Sequence, residues 1–365
     1  MKTWIARRQP SFLRESQVAV PFSNECYDEE KKEGDTMLIL SESQIRSLYS
    51  MSDAIRDLEE ALTYYEEGKV VNPHRTVINF PEKEASALYM PSSMAPVGKS
   101  AVKVVAIFPH NPSLGRNTTQ GVILLSDTDN GEHLACLNAS YLTRLRTGAV
   151  SGIATKHLAK KDATSVVVIG TGAMAEEQLQ AVLEVREIKE IMLFNRTREK
   201  AIAFEKRIPE LSPRYSGSIT IIDGPDEAVA KADIVICATR SAAPVFSGQA
   251  LQLGTHINGV GSYLPHMQEV DEETILKCSK IVADTIEGVK DEAGDFIIPV
   301  NKGVWSFDEL HGELSELVAG KKGGRDKDEE ITFFKSVGTA YFDLAVAAAV
   351  YEKAIKNGVG TEVEV

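Results

Sequence analysis

An α/β protein in which a doubly wound parallel sheet is joined to a second, α+β domain with a mostly antiparallel sheet is predicted by three features of the sequence. From Ala163 onward, short continuous apolar runs alternate with helix-forming stretches, as strands covered on both faces require. A glycine-bearing turn, Gly170-Thr171-Gly172, closes the first of these runs. Between Val77 and Leu137, by contrast, short alternating segments are separated by Pro- and Gly-bearing turns, the pattern of neighbouring antiparallel strands.

At 365 residues the chain is long for one hydrophobic core, and two domains are expected at about 100–200 residues each. An apolar content of 43% with 25% charged residues is that of a globular protein and leaves ample material for an interior. The 53 acidic residues outnumber the 40 basic ones, giving a formal charge of −13. Such a field repels nucleic acid and anionic lipid, so neither is an expected partner, and an anionic ligand needs a local basic pocket. Cys26, Cys136, Cys237 and Cys278 are scattered without metal-ligand spacing; they read as reduced thiols of a cytoplasmic protein, and no metal site is expected. No apolar run reaches the roughly 18 residues of a membrane span.

Residues 1–36 read as a tail, with a charge run from Tyr27 to Asp35, and Met37 is a candidate native start. Residues 37–160 are assigned to a first domain. It opens with the strand-like Met37-Leu38-Ile39-Leu40, followed by Ser41 as a helix cap with Gln44 three residues on. Strands follow around Thr76–Phe80, Ala87–Met90, Ala101–Val105 and Gly121–Leu125. From Tyr141 to Leu158 the period changes, with Leu142, Leu145, Ala149 and Ile153 at helical spacing. Residues 161–325 are the doubly wound domain, and 326–365 a helical segment, amphipathic from Ile331 to Ala354, that returns to the first domain.

Ser165–Ile169 is a buried strand, and the residues after it suit a dinucleotide. Gly170 makes the tight turn, Gly172 admits a pyrophosphate close to the backbone, and Ala175 permits close helix packing. The helix that begins near Ala173 and Met174 offers unpaired N–H groups to the phosphates, so Gly170, Thr171, Gly172, Ala173 and Met174 are candidate cofactor contacts on a Rossmann-type domain. The next strand ends in Phe194-Asn195-Arg196-Thr197, where an NAD enzyme usually presents an acid to the ribose diol. Arg196 would instead pair with a 2′-phosphate and Asn195 and Thr197 could hydrogen-bond it, which favours NADPH with NADH as the alternative. The plainer reading of Arg196 is a solvated residue at a helix start.

Three cations stand out in the acidic chain: Arg75, Lys103 inside an apolar strand, and Arg146 inside an apolar helix. A charge at such positions needs an anion or a path to solvent, and a substrate carboxylate is the natural candidate.

With these residues in view, the chain from Met37 onward resembles the ornithine cyclodeaminase/mu-crystallin family. The matching stretches include Lys103-Val104-Val105, Thr118-x-Gln120-Gly121, Leu145-Arg146-Thr147-Gly148-Ala149 and the Gly170 turn. Further matches are Asn195-Arg196-Thr197, Gly259-x-Gly261-Ser262, Glu292-x-Gly294-Asp295 and Thr332-x-Phe334-Lys335-Ser336-Val337-Gly338. The resemblance implies a homodimer formed through the first domain and a substrate cleft between domains. It implies that Arg75, Lys103 and Arg146 clamp the carboxylate of a small α-amino or α-imino acid, and that Thr118 lies near the nicotinamide. Thr239, Val260, Gly261 and Ser336 are carried over as further cofactor contacts. In ornithine cyclodeaminases an aspartate after the fifth strand handles the distal amine; here Tyr263 stands at that position, and no carboxylate occurs between Asp233 and Glu269.

The expected chemistry is therefore hydride transfer to the C=N carbon of a cyclic imino acid of the Δ1-pyrroline-2-carboxylate or Δ1-piperideine-2-carboxylate type. Lys103 is the first candidate proton donor, with Tyr263 or His266 as others. The competing readings are an ornithine cyclodeaminase, an amino-acid dehydrogenase of the alanine type, and a mu-crystallin-like dinucleotide-dependent binding protein.

Overall fold

The computed structural model describes residues 36–365. The expected tail and Cys26 lie outside the described residues, except that Thr36 already belongs to the first strand. The first sheet is built from β1 (Thr36–Leu40), β2 (Val70–Val71), β3 (Thr76–Phe80), β4 (Ala85–Met94), β5 (Lys99–Ile107), β6 (Thr119–Asp127) and β7 (His133–Asn138). Its order is β16-β1-β7-β6-β5-β4-β2 with β3 beside β4, where β16 is the C-terminal strand Thr361–Glu364. Only the β1–β7 pair is parallel, so the sheet is mostly antiparallel as expected.

Period-two patterning gives this sheet two unlike faces. Ile123, Leu125, Ala135 and Leu137 point into a core shared with helices α1 (Glu42–Leu48), α2 (Met51–Glu66) and α3 (Ala139–Leu158) and with the C-terminal helix Ala340–Asn357. On the other face Tyr89, Val104 and Val122 lie side by side across β4, β5 and β6, and Val122 is 46% exposed. The predicted cap is present: Ser41 and Gln44 form a reciprocal capping box at α1, and Ser50 with Asp53 forms a second at α2.

The second sheet comprises β8 (Ser165–Ile169), β9 (Glu190–Phe194), β10 (Ser218–Ile221), β11 (Ile234–Cys237), β12 (His256–Gly259), β13 (Lys280–Ala283), β14 (Gly312–Glu313) and β15 (Thr332–Lys335). All pairs are parallel, in the order β10-β9-β8-β11-β12-β15-β13-β14. Strand β15 corrects the reading of Ile331–Ala354 as one segment and of 326–365 as purely helical. Thr332–Lys335 is inserted between β12 and β13 and buried on both sides; Gly338, at φ +86°, then breaks the chain before the helix starts at Ala340. A fully buried strand and a buried helix share the same apolar run, which is why periodicity did not separate them.

The two sheets are joined through α3, which is buried along most of its length. Small residues let it lie close against α4 (Ala173–Val185): a Cβ on Gly148 would come within 2.3 Å of the Glu177 carbonyl oxygen. This contact holds the helix that follows the Gly170 turn against the helix that carries Arg146.

Candidate active site

The turn after β8 has the geometry its sequence implies. Gly170 adopts φ +92°, and a Cβ there would meet the Ala238 carbonyl oxygen at 2.8 Å and Thr239 Cγ2 at 2.7 Å. A Cβ on Gly172 would meet nothing within 4 Å, and Gly172 and Ala173 are exposed. No side chain caps α4, so its first N–H groups face open space, while the Thr171 hydroxyl is buried without a partner. An uncapped helix start, an open glycine and an orphaned hydroxyl together fit a phosphate group. Asn195 braces the turn, its Oδ1 accepting from Thr171 N at 3.1 Å and its Nδ2 donating to Thr197 O at 2.9 Å. Arg196 is exposed and makes no ion pair among the described residues, whereas Arg198 is paired with Asp223. Met174 is half-buried on α4.

Beside this turn, at the C-terminal ends of β11 and β12, lie Thr239, Val260 and Gly261. Glu269 binds both loops. Its Oε1 accepts from Thr239 N at 2.6 Å and Thr239 Oγ1 at 2.7 Å, and its Oε2 from Gly261 N at 2.7 Å and Ser262 N at 3.0 Å. Val260 is buried, with its N–H donated to Cys237 O.

Arg75 and Arg146 meet at the turn after β15, and Lys103 joins Arg146 on Asp343 of the C-terminal helix. Lys103 Nζ donates to Asp343 Oδ2 at 2.6 Å, and Arg146 Nε donates to Asp343 Oδ1 at 3.2 Å. Arg75 donates to the Gly338 carbonyl, and its Nε lies 3.1 Å from Glu292 Oε1. A Cβ on Gly338 would fall 2.9 Å from an Arg146 guanidinium nitrogen, so only glycine lets that side chain rest on the backbone. Asp284 holds this turn in shape by accepting from Ser336 Oγ, Val337 N and Gly338 N. Sequence reading missed Asp343 and Asp284, and quoted Glu292 within a family match without giving it a role. A lone acid in the apolar run from Ala340 to Val350 was the available signal for Asp343.

Burial pushes the Lys103 ammonium down to about 8, against the pull of Asp343. Burial also pushes the Glu292 carboxyl up to about 7, with Arg75 opposing it. For Asp343 burial acts upward, but Arg146 and Lys103 together bring it below the usual carboxylate range. Arg75, Lys103 and Arg146 thus share their surroundings with the ionised Asp343, with Glu292, which is half protonated near neutrality, and with Asp284, whose nearness also raises Glu292. A small cavity opens here, lined by Asn72, Arg75, Met90, Thr285, Gly338 and Thr339 among others. Of the three cations only Arg75 lines it, Lys103 and Arg146 being turned onto Asp343.

Of the other expected site residues, only Ser336 belongs to this turn. The Tyr263 hydroxyl accepts from Arg240 at 2.7 Å, His266 is exposed, and Ser336 is committed to Asp284. Thr118 is half-buried at the start of β6, where its carbonyl accepts from Phe108 N. No group of His, Cys, Asp or Glu placed to hold a metal occurs among the described residues, and no described helix is long and apolar enough to cross a membrane.

Residues 35–358 match a family model described as the ornithine cyclodeaminase/mu-crystallin family. A Δ1-pyrroline-2-carboxylate reductase of Bacillus cereus is 41% identical over 328 residues, covering 90% of this chain and all of the relative. The structure of the Thermococcus litoralis Δ1-pyrroline-2-carboxylate reductase in complex with NADH and L-proline is also 41% identical. It superposes with a TM-score of 0.86 over 90% of this chain and 100% of that one. An archaeal alanine dehydrogenase dimer with bound NAD gives a TM-score of 0.83 at 35% identity, covering 90% of this chain and 99% of its own.

Proposed function

The chain belongs to the ornithine cyclodeaminase/mu-crystallin family, and on that premise we propose that it is a nicotinamide-dependent oxidoreductase that reduces a small cyclic imino acid of the Δ1-pyrroline-2-carboxylate or Δ1-piperideine-2-carboxylate type to the L-amino acid. The observation that carries the reading is that Arg75 and Arg146 meet at the Gly338 turn, which follows a strand of the dinucleotide-binding sheet, with Lys103 beside them on the Asp343 that Arg146 also binds.

Arg75, Lys103 and Arg146 hold the substrate carboxylate and so fix the α-carbon; positioning of this kind removes much of a bimolecular barrier. A bound nicotinamide supplies hydride to the imine carbon. The imine nitrogen needs a proton; Lys103 donates to Asp343, and we assign that proton to Glu292 in its place. Glu292 lies against Arg75 and is half protonated near neutral pH, as a general acid should be. Tyr263 bonded to Arg240 offers a distal ammonium a cation where cyclisation calls for an anion, which supports the reductase over a cyclodeaminase.

Two finer readings accompany this one. Arg196, free of acidic partners among the described residues, supports NADPH over NADH. The apolar outer face of the first sheet around Tyr89, Val104 and Val122 supports a homodimer, in keeping with the dimeric alanine dehydrogenase. The cytoplasmic assignment rests on composition and on the free thiols Cys136, Cys237 and Cys278.

The test follows dinucleotide oxidation with the two cyclic imino acids, with pyruvate plus ammonia and with L-ornithine plus NAD⁺ in parallel. Turnover of a cyclic imine that collapses in Arg75→Ala and Lys103→Ala supports the proposal. Ammonia release from ornithine alone, or dinucleotide binding without any turnover, replaces it with the cyclodeaminase or the binding-protein reading.

A further inference from the structure

Beneath the strand ends lies a charged cluster that the reaction does not use directly. Lys335, Asp295 and Glu269 are all fully buried. Lys335 Nζ donates to Asp295 Oδ2 at 2.7 Å and to the Ser262 carbonyl at 2.7 Å. The Ser262 hydroxyl donates to the same Asp295 oxygen, and Asp295 Oδ1 accepts from the backbone N–H groups of Glu269 at 2.6 Å and Val270 at 3.1 Å. Every member of the cluster is thereby hydrogen-bonded, which a buried charge requires to be tolerated.

Its outward end is Glu269, whose two oxygens accept four hydrogen bonds from Thr239, Gly261 and Ser262. Burial raises this carboxyl, while the three backbone N–H groups and the Thr239 hydroxyl donating to its oxygens favour the ionised form. The loops it joins are in backbone contact: a Cβ on Gly261 would fall 1.9 Å from the Thr239 carbonyl oxygen. Thr239 in turn packs against Gly170, whose added Cβ would lie 2.7 Å from Thr239 Cγ2. The phosphate turn, the loop after β11 and the loop after β12 therefore form one continuous surface latched from below.

We propose that Glu269 is a positioning residue for the dinucleotide, its carboxylate latching the Thr239 and Gly261 loops into a single platform while the buried Lys335–Asp295 pair holds Glu269 in place. The inference rests on the dinucleotide site of the proposed function, and lies one layer behind it. A carboxylate is needed because all four partners are donors; an amide would set N–H against N–H on one of the two loops.

The test measures NADH and NADPH dissociation constants directly by fluorescence in wild type, Glu269→Gln and the milder Thr239→Val, together with melting temperatures and binding of the planar proline analogue pyrrole-2-carboxylate. Glu269→Gln is expected to weaken dinucleotide binding at least tenfold, and Thr239→Val, which removes one of the four donors, about threefold. Pyrrole-2-carboxylate affinity should stay within twofold of wild type in both. Unchanged dinucleotide affinity in folded Glu269→Gln overturns the proposal. So does an equal loss for dinucleotide and pyrrole-2-carboxylate, which marks general loosening; if Glu269→Gln does not fold, Thr239→Val decides on the same readings. Wild-type protein that binds no dinucleotide would overturn the underlying function instead.

Discussion

Asp343 stands between Lys103 and Arg146, one carboxylate oxygen to each, in a pocket where all three side chains are at least 95% buried. It arrives from the C-terminal helix, the strand bearing Lys103 crosses the first sheet, and Arg146 comes from the helix that joins the two sheets. Two cations of the proposed clamp, from distant segments, are thus held together by one acid. Asp343→Asn would leave two buried cations without a full countercharge, and truncating a buried pair typically costs about 3–5 kcal/mol. Urea unfolding should register a loss of that order, and the KM for imino acid should rise at least tenfold. Dinucleotide affinity should be unaffected, since the turn proposed to bind it lies elsewhere; equal loss of both would mean the acid is merely structural.

The pH dependence follows from Glu292 and Lys103. Glu292 must be protonated to act as the acid, and with its pKa raised to about 7 that form is lost as pH rises through neutrality. Lys103 holds a carboxylate only while charged, and with its pKa lowered to about 8 that charge is lost one step later. Both changes run the same way, so kcat/KM should fall from neutral into alkaline pH, its logarithm steepening from a slope of about −1 to about −2. Glu292→Gln should lower the rate and remove the first limb while leaving the second near 8. An unchanged profile in that variant would take the proton donor away from Glu292.

How much of this was legible in the sequence depends on whether a residue's partner lay nearby in the chain. The turn at Gly170 was readable because strand, glycines and helix are contiguous, and the strands from Ser165 to Ala283 were readable because parallel buried strands are apolar throughout. Lys103 and Arg146 could be singled out as charges in apolar elements. Their shared countercharge could not, because Asp343 lies 240 residues from Lys103 and 197 from Arg146. Strand β15 was merged with the helix after it because both are buried apolar runs, separated only by the Gly338 turn. Tyr263 was offered as a catalytic group from its place in the chain; its hydroxyl is instead taken by Arg240, a pairing no local pattern announces.

On the proposed reading, Arg196 is the residue that selects between the two dinucleotides. It is exposed, follows the strand that runs beside β8, and makes no ion pair among the described residues, so its guanidinium can meet a 2′-phosphate. A hydrogen bond to a charged group is worth about 1.5–3 kcal/mol, or about 10–100-fold in affinity. Arg196→Ala should therefore weaken NADPH binding by that factor and leave NADH within about twofold. Parallel titrations of the two coenzymes check this, and equal effects on both would make Arg196 a solvated surface residue.

Gly170 and Gly172 sit two residues apart in one turn, yet they should fail in different ways when replaced by alanine. At Gly170 the backbone is left-handed, φ +92°, and a methyl would press on the Ala238 carbonyl and on Thr239. Strain of this kind costs about 1–3 kcal/mol, so Gly170→Ala should lose both stability and dinucleotide binding. At Gly172 the backbone has φ −80°, which any residue adopts, and the methyl would meet no protein atom within 4 Å. Folding should therefore be unharmed, and restricting the unfolded chain could raise stability by about 0.4–1 kcal/mol. The space the methyl enters is the space a pyrophosphate needs for close approach to the backbone, so dinucleotide affinity should fall at least tenfold in a protein that melts no lower than wild type. Calorimetry and fluorescence titration on the pair separate the two effects. Undiminished dinucleotide binding by Gly172→Ala would mean that the open face of this turn is not where the phosphates lie, and the cofactor site would have to be sought elsewhere on the sheet.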